Sequence, residues 1–167
     1  MKLLLESWKS YINEAESPFL SHINPTDKVF VTSKEYKGFI DVKQQDGTSI
    51  KPNGLWYACG DEWIRFDHGL ENSKYLYKIK LDYSKILRLT QKDVKAFEKE
   101  YGVNRGIPSM EMMVIDWKKV AERYGGIEIC PYMPKIRHHF WYYGWDIASG
   151  CIWDKDAIKE VSLVLSL

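Results

Sequence analysis

The chain has 167 residues, which is enough for one domain with its own core and too few for two full-sized domains. Hydrophobic residues make up 45% and charged residues 28%, a balance that excludes disorder as the main state. Lys and Arg number 24 against 23 Asp and Glu, so bulk positive charge cannot drive binding to nucleic acid or membrane. The aromatic fraction of 14% predicts an aromatic core, a stacking surface or both.

The cysteines and the hydropathy pattern indicate few special features. Cys59, Cys130 and Cys151 are widely spaced and form no CxxC pair, so neither a disulfide framework nor a zinc site is expected. The odd count is typical of a reducing compartment. Apolar runs are short, no membrane span of about 20 residues is predicted, and the start does not have the pattern of a signal peptide.

Residues 1–17 are predicted to form a separate amino-terminal unit. Apolar side chains recur at helical spacing over residues 2–15, and Ser17 followed by Pro18 ends the pattern. One interpretation is a helix packed on the domain. The other is a detachable leader, because the segment resembles the amino-terminal peptides of proteins packaged into tailed-phage heads. Leu4–Glu6 and Ile12–Glu14 match the cleavage pattern (Leu or Ile)-x-Glu of those peptides.

Residues 18–167 are predicted to form a single domain of the α+β class. Helices are expected over Gln91–Tyr101, capped by Thr90, and over Asp116–Tyr124, capped by Asp116. Tyr75–Asp82 alternates polar and apolar residues and predicts a strand with one solvent-exposed face. Further strands are predicted over Lys28–Ser33, Phe39–Val42, Leu55–Ala58, Ile127–Cys130, Cys151–Trp153 and Val161–Leu167. This order lacks βαβ alternation and argues against a doubly wound sheet.

Four segments are informative together, through their order and spacing: Gly54–Ala58 (GLWYA), Tyr75–Thr90, Trp117–Ile129 and Cys151–Lys159. They resemble motifs of the ADP-ribosyltransferase superfamily. The resemblance implies split antiparallel β-sheets with flanking helices. It also implies NAD as a substrate, bound between the Gly54–Ala58 strand and the strands that hold Glu128 and Cys151. No metal is implied.

The sequence departs from the family pattern at two positions. The family's first strand carries a His or Arg that holds the NAD ribose, whereas here only the hydroxyls of Thr32 and Ser33 are available. The family's catalytic Glu opens the closing strand, and alignment puts Ser149 or Gly150 there. Either a carboxylate arrives from a shifted position, or transferase activity has been lost.

Glu128 and Asp146 are the candidate catalytic carboxylates, because they are nearest to the position of the missing Glu. Cleavage of the NAD glycosidic bond passes through an oxocarbenium-like state, which a nearby carboxylate stabilises. Each residue also has a simpler interpretation. Glu128 lies between two isoleucines and would be a solvated strand carboxylate, and Asp146 would be a turn or cap residue.

The candidate NAD-binding residues supply hydroxyls, an aromatic surface and a cation. They are Thr32, Ser33, Gly54, Leu55, Trp56, Tyr57, Trp63 and Arg137. Nicotinamide is a flat aromatic cation in NAD and stacks on Trp or Tyr, while Arg binds diphosphate. Trp56 and Tyr57 are neighbours on one strand, so they are predicted to face opposite sides, with core packing as the alternative for each aromatic residue.

Residues 137–145 (RHHFWYYGW) contain five aromatic residues beside an arginine and two histidines. The two adjacent histidines do not have the spacing of a helical zinc site. The segment predicts an aromatic mini-core under a long loop, a substrate-facing loop, or a stacking platform for unpaired bases beside Arg137.

These observations predict an NAD-dependent mono-ADP-ribosyltransferase, encoded by a phage, that modifies a host protein or nucleic acid. It would act in the host cytoplasm, with packaging in the virion before injection as an open alternative. The second hypothesis is a catalytically inactive ADP-ribosyltransferase-like module that binds a host protein or single-stranded nucleic acid. The third is a small structural protein of the virion. No membrane partner is expected, and the oligomeric state is left open.

Overall fold

The computed structural model describes residues 17–45, 49–66, 72–107 and 112–167. The predicted amino-terminal helix and both leader-type cleavage sequences, Leu4–Glu6 and Ile12–Glu14, lie outside the described residues. In the part of the chain that is described, no helix is long and apolar enough to cross a membrane.

Strands dominate the described residues, and the helices are short. The strands are β1 (Lys28–Thr32), β2 (Leu55–Cys59), β3 (Tyr75–Leu81), β4 (Ile86–Arg88), β5 (Gly102–Asn104), β6 (Met113–Ile115), β7 (Gly126–Ile129), β8 (Ser149–Ile152) and β9 (Ile158–Ser166). The helices are α1 (Glu62–Phe66), α2 (Val94–Tyr101) and α3 (Trp117–Ala121). Three further turns are 3-10 helical, at Leu20–His22, Pro134–Ile136 and Lys155–Ala157. The predicted α+β class is confirmed.

Seven strands form one sheet in the order β4-β7-β8-β2-β1-β3-β9, and β5 pairs with β6 in a separate two-stranded ribbon. All neighbours in the large sheet are antiparallel except β4 and β7, which are parallel. Ile86 in one edge strand and Val161 in the other pack into the same apolar cluster, which shows that the sheet curls to bring its two edges together. The strands expected in split sheets are therefore hydrogen-bonded into one continuous sheet.

The two faces of the central strands β7, β8 and β2 have different environments. We call one the helical face, because α2, α3 and residues 136–145 cover it with an aromatic cluster. Ile127, Ile129 and Cys151 point into that cluster. We call the other the concave face, where Tyr57 and Cys59 pack with residues from both edges of the sheet.

The helix predictions are confirmed in type, with two changed boundaries, since α2 begins at Val94 rather than Gln91 and α3 ends at Ala121 rather than Tyr124. Asp116 caps α3 as predicted, since its carboxylate accepts a hydrogen bond from the Lys119 N–H at 3.1 Å. At α2 the N-cap position is held by Asp93 rather than Thr90. The Asp93 carboxylate accepts a hydrogen bond from the Thr90 N–H at 3.0 Å, so residues 90–93 form a turn and the helix begins at Val94.

Two strand predictions need correction. Residues 39–42 form no strand, and the Val42 N–H instead donates to the Trp153 carbonyl at 2.8 Å. The expected exposed face of β3 is partly covered, because Leu76 on that face is buried against the cluster that contains Phe19 and Ile64. Both differences arise from long-range packing, which local alternation of residues does not report.

The expectation that no disulfide forms is wrong, since Cys59 and Cys130 are joined. Their separation of 71 positions carried no sequence signal. The fold brings them together, because Cys59 ends β2, Cys130 follows β7, and both point to the concave face on either side of β8. With two of the three cysteines paired, the odd count no longer indicates a reducing compartment. Cys151 stays free, and burial raises the pKa of its thiol.

Candidate functional site

Glu128 and Tyr57 meet on the concave face across a glycine. The register pairs Glu128 of β7 with Gly150 of β8, and Gly150 with Tyr57 of β2, so the three residues lie in one row across the sheet. Because Gly150 has no side chain, the Tyr57 phenol lies over it, and its hydroxyl donates to Glu128 Oε2 at 3.0 Å. A Cβ at position 150 would lie 2.2 Å from that hydroxyl.

Two cations and a second tyrosine surround the same carboxylate. Lys28 Nζ lies 3.3 Å from Glu128 Oε2, and Arg88 Nε lies 3.5 Å from Oε1. The Tyr83 hydroxyl donates to Oε2 at 3.3 Å. We call Glu128 and its four partners, Tyr57, Lys28, Arg88 and Tyr83, the Glu128 cluster. Glu128 itself is only 2% exposed, so the interpretation of a solvated strand carboxylate is wrong. A buried carboxylate requires such partners to offset its lost hydration.

The Glu128 carboxylate also alters its tyrosine neighbours. Burial and the adjacent negative charge raise the pKa of Tyr57 well above its usual value, and the same causes raise the pKa of Tyr83 to about 12. Both phenols therefore remain protonated at neutral pH and act as hydrogen-bond donors to Glu128.

Tyr83 is expected to titrate at a pH near 12, and its pKa should move towards 10 in Glu128→Gln, which removes the charge. The measurement is the tyrosinate absorbance of each chain minus that of its Tyr83→Phe variant. Because the folded-state pKa is raised, the associated stability is complete below pH 10 and is lost as the pH rises from 10 to 12. An unchanged titration in Glu128→Gln would contradict this assignment.

A cleft of about 380 Å³ opens beside the cluster, and we call it the polar cleft. Its walls include Lys28, Cys59, Tyr83, Arg88, Glu128 and Cys130. Ligand atoms of Cys59, Glu128 and Cys130 lie within 4.8 Å of one another, which is a spacing that a metal ion would need. Here, however, the two sulfurs are bonded to each other and the Lys28 ammonium lies 3.1 Å from Cys59 Sγ, an arrangement that offers no thiolate pair to a metal.

A second cleft, of about 500 Å³, lies on the helical face, and we call it the aromatic cleft. Its lining includes Lys51, Trp56, Trp63, Phe66, Trp145, Asp146 and Ser149. The Trp56 and Trp145 rings meet edge to face, with their centroids 4.9 Å apart. Lys51 Nζ lies 5.0 Å above the Trp56 ring, which is the distance of a cation–π contact. The cleft therefore presents aromatic side chains, one of which is covered by a lysine ammonium.

The predicted site residues are divided between the two clefts. Trp56 and Tyr57 face opposite sides, as predicted, so Tyr57 joins Glu128 while Trp56 lines the aromatic cleft. Trp63 and Asp146 line the aromatic cleft as well. The two candidate carboxylates thus lie on opposite faces of the sheet, and the carboxylate that shares a cleft with the tryptophans is Asp146.

The remaining predicted residues lie outside both linings. Thr32 ends β1, and its hydroxyl donates to the Lys34 carbonyl, while Ser33 is exposed just beyond. Gly54 has a φ of 153° and lies so close to β8 that a Cβ there would be 2.1 Å from the Ile152 carbonyl oxygen. Leu55 packs in the concave-face cluster, and Arg137 is exposed.

The aromatic segment 137–145 mainly supplies core. Trp141 and Tyr142 are fully buried, so they are not available as a platform for unpaired bases. The Trp141 indole N–H donates to Glu98 Oε1 at 2.7 Å, and the Tyr142 hydroxyl accepts from the Met133 N–H at 2.9 Å. Trp145 is the member of this segment that also lines the aromatic cleft.

Sequence reasoning missed Lys28, Tyr83 and Arg88 around Glu128, and Lys51 and Trp145 in the aromatic cleft. Lys28, Tyr83, Arg88 and Lys51 each lie on a different strand or loop from the residues they accompany, so no short motif joins them. Trp145, by contrast, immediately precedes Asp146 in the aromatic segment that the sequence had singled out, so its neighbourhood to Asp146 was visible in the sequence. Comparison with known proteins finds no family model, no curated protein and no solved structure that matches this chain.

Proposed function

We propose that this protein is an NAD-dependent mono-ADP-ribosyltransferase with an ADP-ribosyltransferase-like fold, and that the aromatic cleft is its NAD site. The observation that carries the proposal is the convergence of Trp56, Trp63 and Ser149 on this cleft. Trp56 and Trp63 come from a strand and the helix that follows it, Ser149 comes from a strand far away in sequence, and the resemblance implied an NAD site around the two tryptophans. The pairing of β2 with β8, and of β8 with β7, further supports the expected neighbourhood of these strands.

The lining residues suit the chemistry of NAD cleavage. The nicotinamide ring of NAD is a cation, and it would stack on the Trp56 face that the Lys51 ammonium covers in this structure. Asp146 would stabilise the oxocarbenium-like ribose as its bond to nicotinamide breaks. The displaced Lys51 ammonium would be free to pair with the diphosphate. Glu128 lies across the sheet and is assigned no catalytic role.

The second candidate is a catalytically inactive module of the same fold that binds a host protein. It is favoured by the lack of a carboxylate at the position of the family's catalytic Glu, which alignment gives to Ser149 or Gly150. In this case the aromatic cleft would still bind NAD or a similar ligand without cleaving it. Both candidates include an acceptor or partner in the host cytoplasm. This part of the proposal rests on the resemblance of the amino-terminal segment to phage leader peptides.

The first experiment measures nicotinamide release from NAD by the full chain, with and without host lysate. We expect lysate-dependent release that falls at least about a hundredfold in Asp146→Asn, since loss of one electrostatic stabiliser has that effect. Glu128→Gln and the surface variant Asp156→Asn should retain activity in proportion to folded protein. Loss of release in Glu128→Gln alone, with folding intact, would transfer the catalytic role to Glu128 and overturn the assignment of the cleft.

Calorimetry with NAD separates the two candidates. Trp63→Leu should weaken NAD binding about tenfold, because it removes a stacking surface from the cleft while keeping an apolar side chain. Tyr143→Leu, an exposed aromatic outside the cleft, should not change binding. Binding without release would favour the inactive module, and the absence of both would refute an NAD site.

A further inference from the structure

The disulfide between Cys59 and Cys130 lies in the wall of the polar cleft, away from the proposed NAD site. Cys59 is 8% exposed at the end of β2, and its N–H donates to the Ala148 carbonyl at 3.0 Å, which holds it in the sheet. Cys130 follows β7 and is the more exposed partner. Because both cysteines line the cleft and Cys130 is the more exposed residue, we expect attack by a molecule in the cleft at Cys130.

A cation stands beside the less exposed sulfur. Lys28 Nζ lies 3.1 Å from Cys59 Sγ, and the lysine side chain is 16% exposed. Thiolates are stabilised by an adjacent ammonium, and a disulfide opens fastest when its leaving thiolate is the stabilised one. Glu128 shares the same ammonium at 3.3 Å, while Arg88 supports the carboxylate from its other oxygen at 3.5 Å. The cleft thus contains a cation beside the Cys59 sulfur and cations beside the Glu128 carboxylate.

We propose that Cys59 and Cys130 form a redox-active disulfide that exchanges with a low-molecular-weight thiol bound in the polar cleft. The thiolate of the incoming thiol attacks Cys130 Sγ, a new S–S bond forms, and the Cys59–Cys130 bond breaks with its electron pair leaving on Cys59 beside Lys28. A second thiolate attacks the sulfur of the bound thiol, which releases a small-molecule disulfide and leaves the Cys130 thiolate. Two thiols are oxidised and one protein disulfide is reduced.

The dimensions of the cleft favour a small thiol over a protein thiol. Its volume of about 380 Å³ is that of a small-ligand site, and Tyr83, Arg88 and Glu128 stand around the sulfurs. By contrast, the free Cys151 is fully buried on the helical face, so its thiol is not accessible to an incoming thiol or disulfide.

The test measures the rate at which glutathione reduces the disulfide in the folded protein at neutral pH. Lys28→Met is expected to slow reduction about tenfold, since the leaving thiolate loses its cation. Lys28→Arg, which keeps a charge there, should stay within about threefold of the natural rate. Lys78→Met is the matched control, because Lys78 is a partly buried lysine whose ammonium pairs with the Asp27 carboxylate at 2.8 Å. Equal slowing in Lys28→Met and Lys78→Met would overturn the role of Lys28.

A second measurement needs no variant of Lys28. Brief treatment of the natural chain with glutathione, acid quenching and peptide mass analysis should locate the mixed disulfide on Cys130. Treated instead with oxidised glutathione, Cys59→Ser should accumulate a stable mixed disulfide on Cys130 as one glutathione thiolate leaves, whereas Cys130→Ser should form little adduct on the recessed Cys59. Reduction that proceeds no faster than global unfolding, or an adduct mainly on Cys59, would show a purely structural disulfide and refute the proposal.

Discussion

Glu128→Ala is expected to lower the free energy of unfolding by about 3–5 kcal/mol, the usual cost of removing one member of a buried charge pair. The loss comes less from the missing carboxylate than from what it leaves behind. Lys28 would remain largely buried without its carboxylate partner, and the Tyr57 hydroxyl would lose its acceptor inside the fold. Urea unfolding monitored by tryptophan fluorescence measures the change.

Glu160→Ala provides the matched control for that experiment. Glu160 also pairs with a lysine, since Lys80 Nζ lies 2.6 Å from its Oε2, but both side chains are at least half exposed. Surface pairs of this kind contribute about 0–1 kcal/mol, so the control should unfold almost like the natural chain. If Glu128→Ala is no more destabilising than Glu160→Ala, the Glu128 cluster does not stabilise the sheet.

Gly150→Ala is expected to destabilise the fold by about 3 kcal/mol, at the upper end of the range for overpacking a core. The new methyl carbon would lie 2.2 Å from the Tyr57 hydroxyl and 2.7 Å from the Ile127 carbonyl oxygen. Neither neighbour is free to move, because Tyr57 is fully buried and Ile127 belongs to a central strand. The displaced phenol would also lose its hydrogen bond to Glu128 Oε2. Because Tyr83 donates to the same oxygen, the pKa of Tyr83 should change in this variant as well.

Gly144→Ala tests whether that cost comes from rigid neighbours. A methyl group at position 144 would come 2.7 Å from Lys51 Cε, which is the flexible end of a lysine side chain. Lys51 can shift to another rotamer, so the change should be within about 0.5 kcal/mol. Similar destabilisation of both variants would mean that the close approach of Tyr57 to Gly150 does not explain the effect.

Several elements were predictable because their signals are local. The cap at Asp116 and the opposite orientation of Trp56 and Tyr57 depend on residues within a turn or on neighbouring strand positions. Gly150 shows the limit of such signals. The requirement for glycine at this position depends on Tyr57 and Glu128, which lie beside it on two strands far away in sequence.

The amino-acid sequence by itself determined the α+β class, the approximate positions of most strands and helices, and the residues from which an NAD site is proposed. Periodicity and capping depend on near neighbours, and the sequence contains that information directly. Only the tertiary structure decided that Asp146, rather than Glu128, shares a cleft with Trp56 and Trp63. It also decided that Cys59 bonds to Cys130 beside Lys28. Those results depend on strand order and sheet curl, which arise from contacts between segments that no local pattern connects.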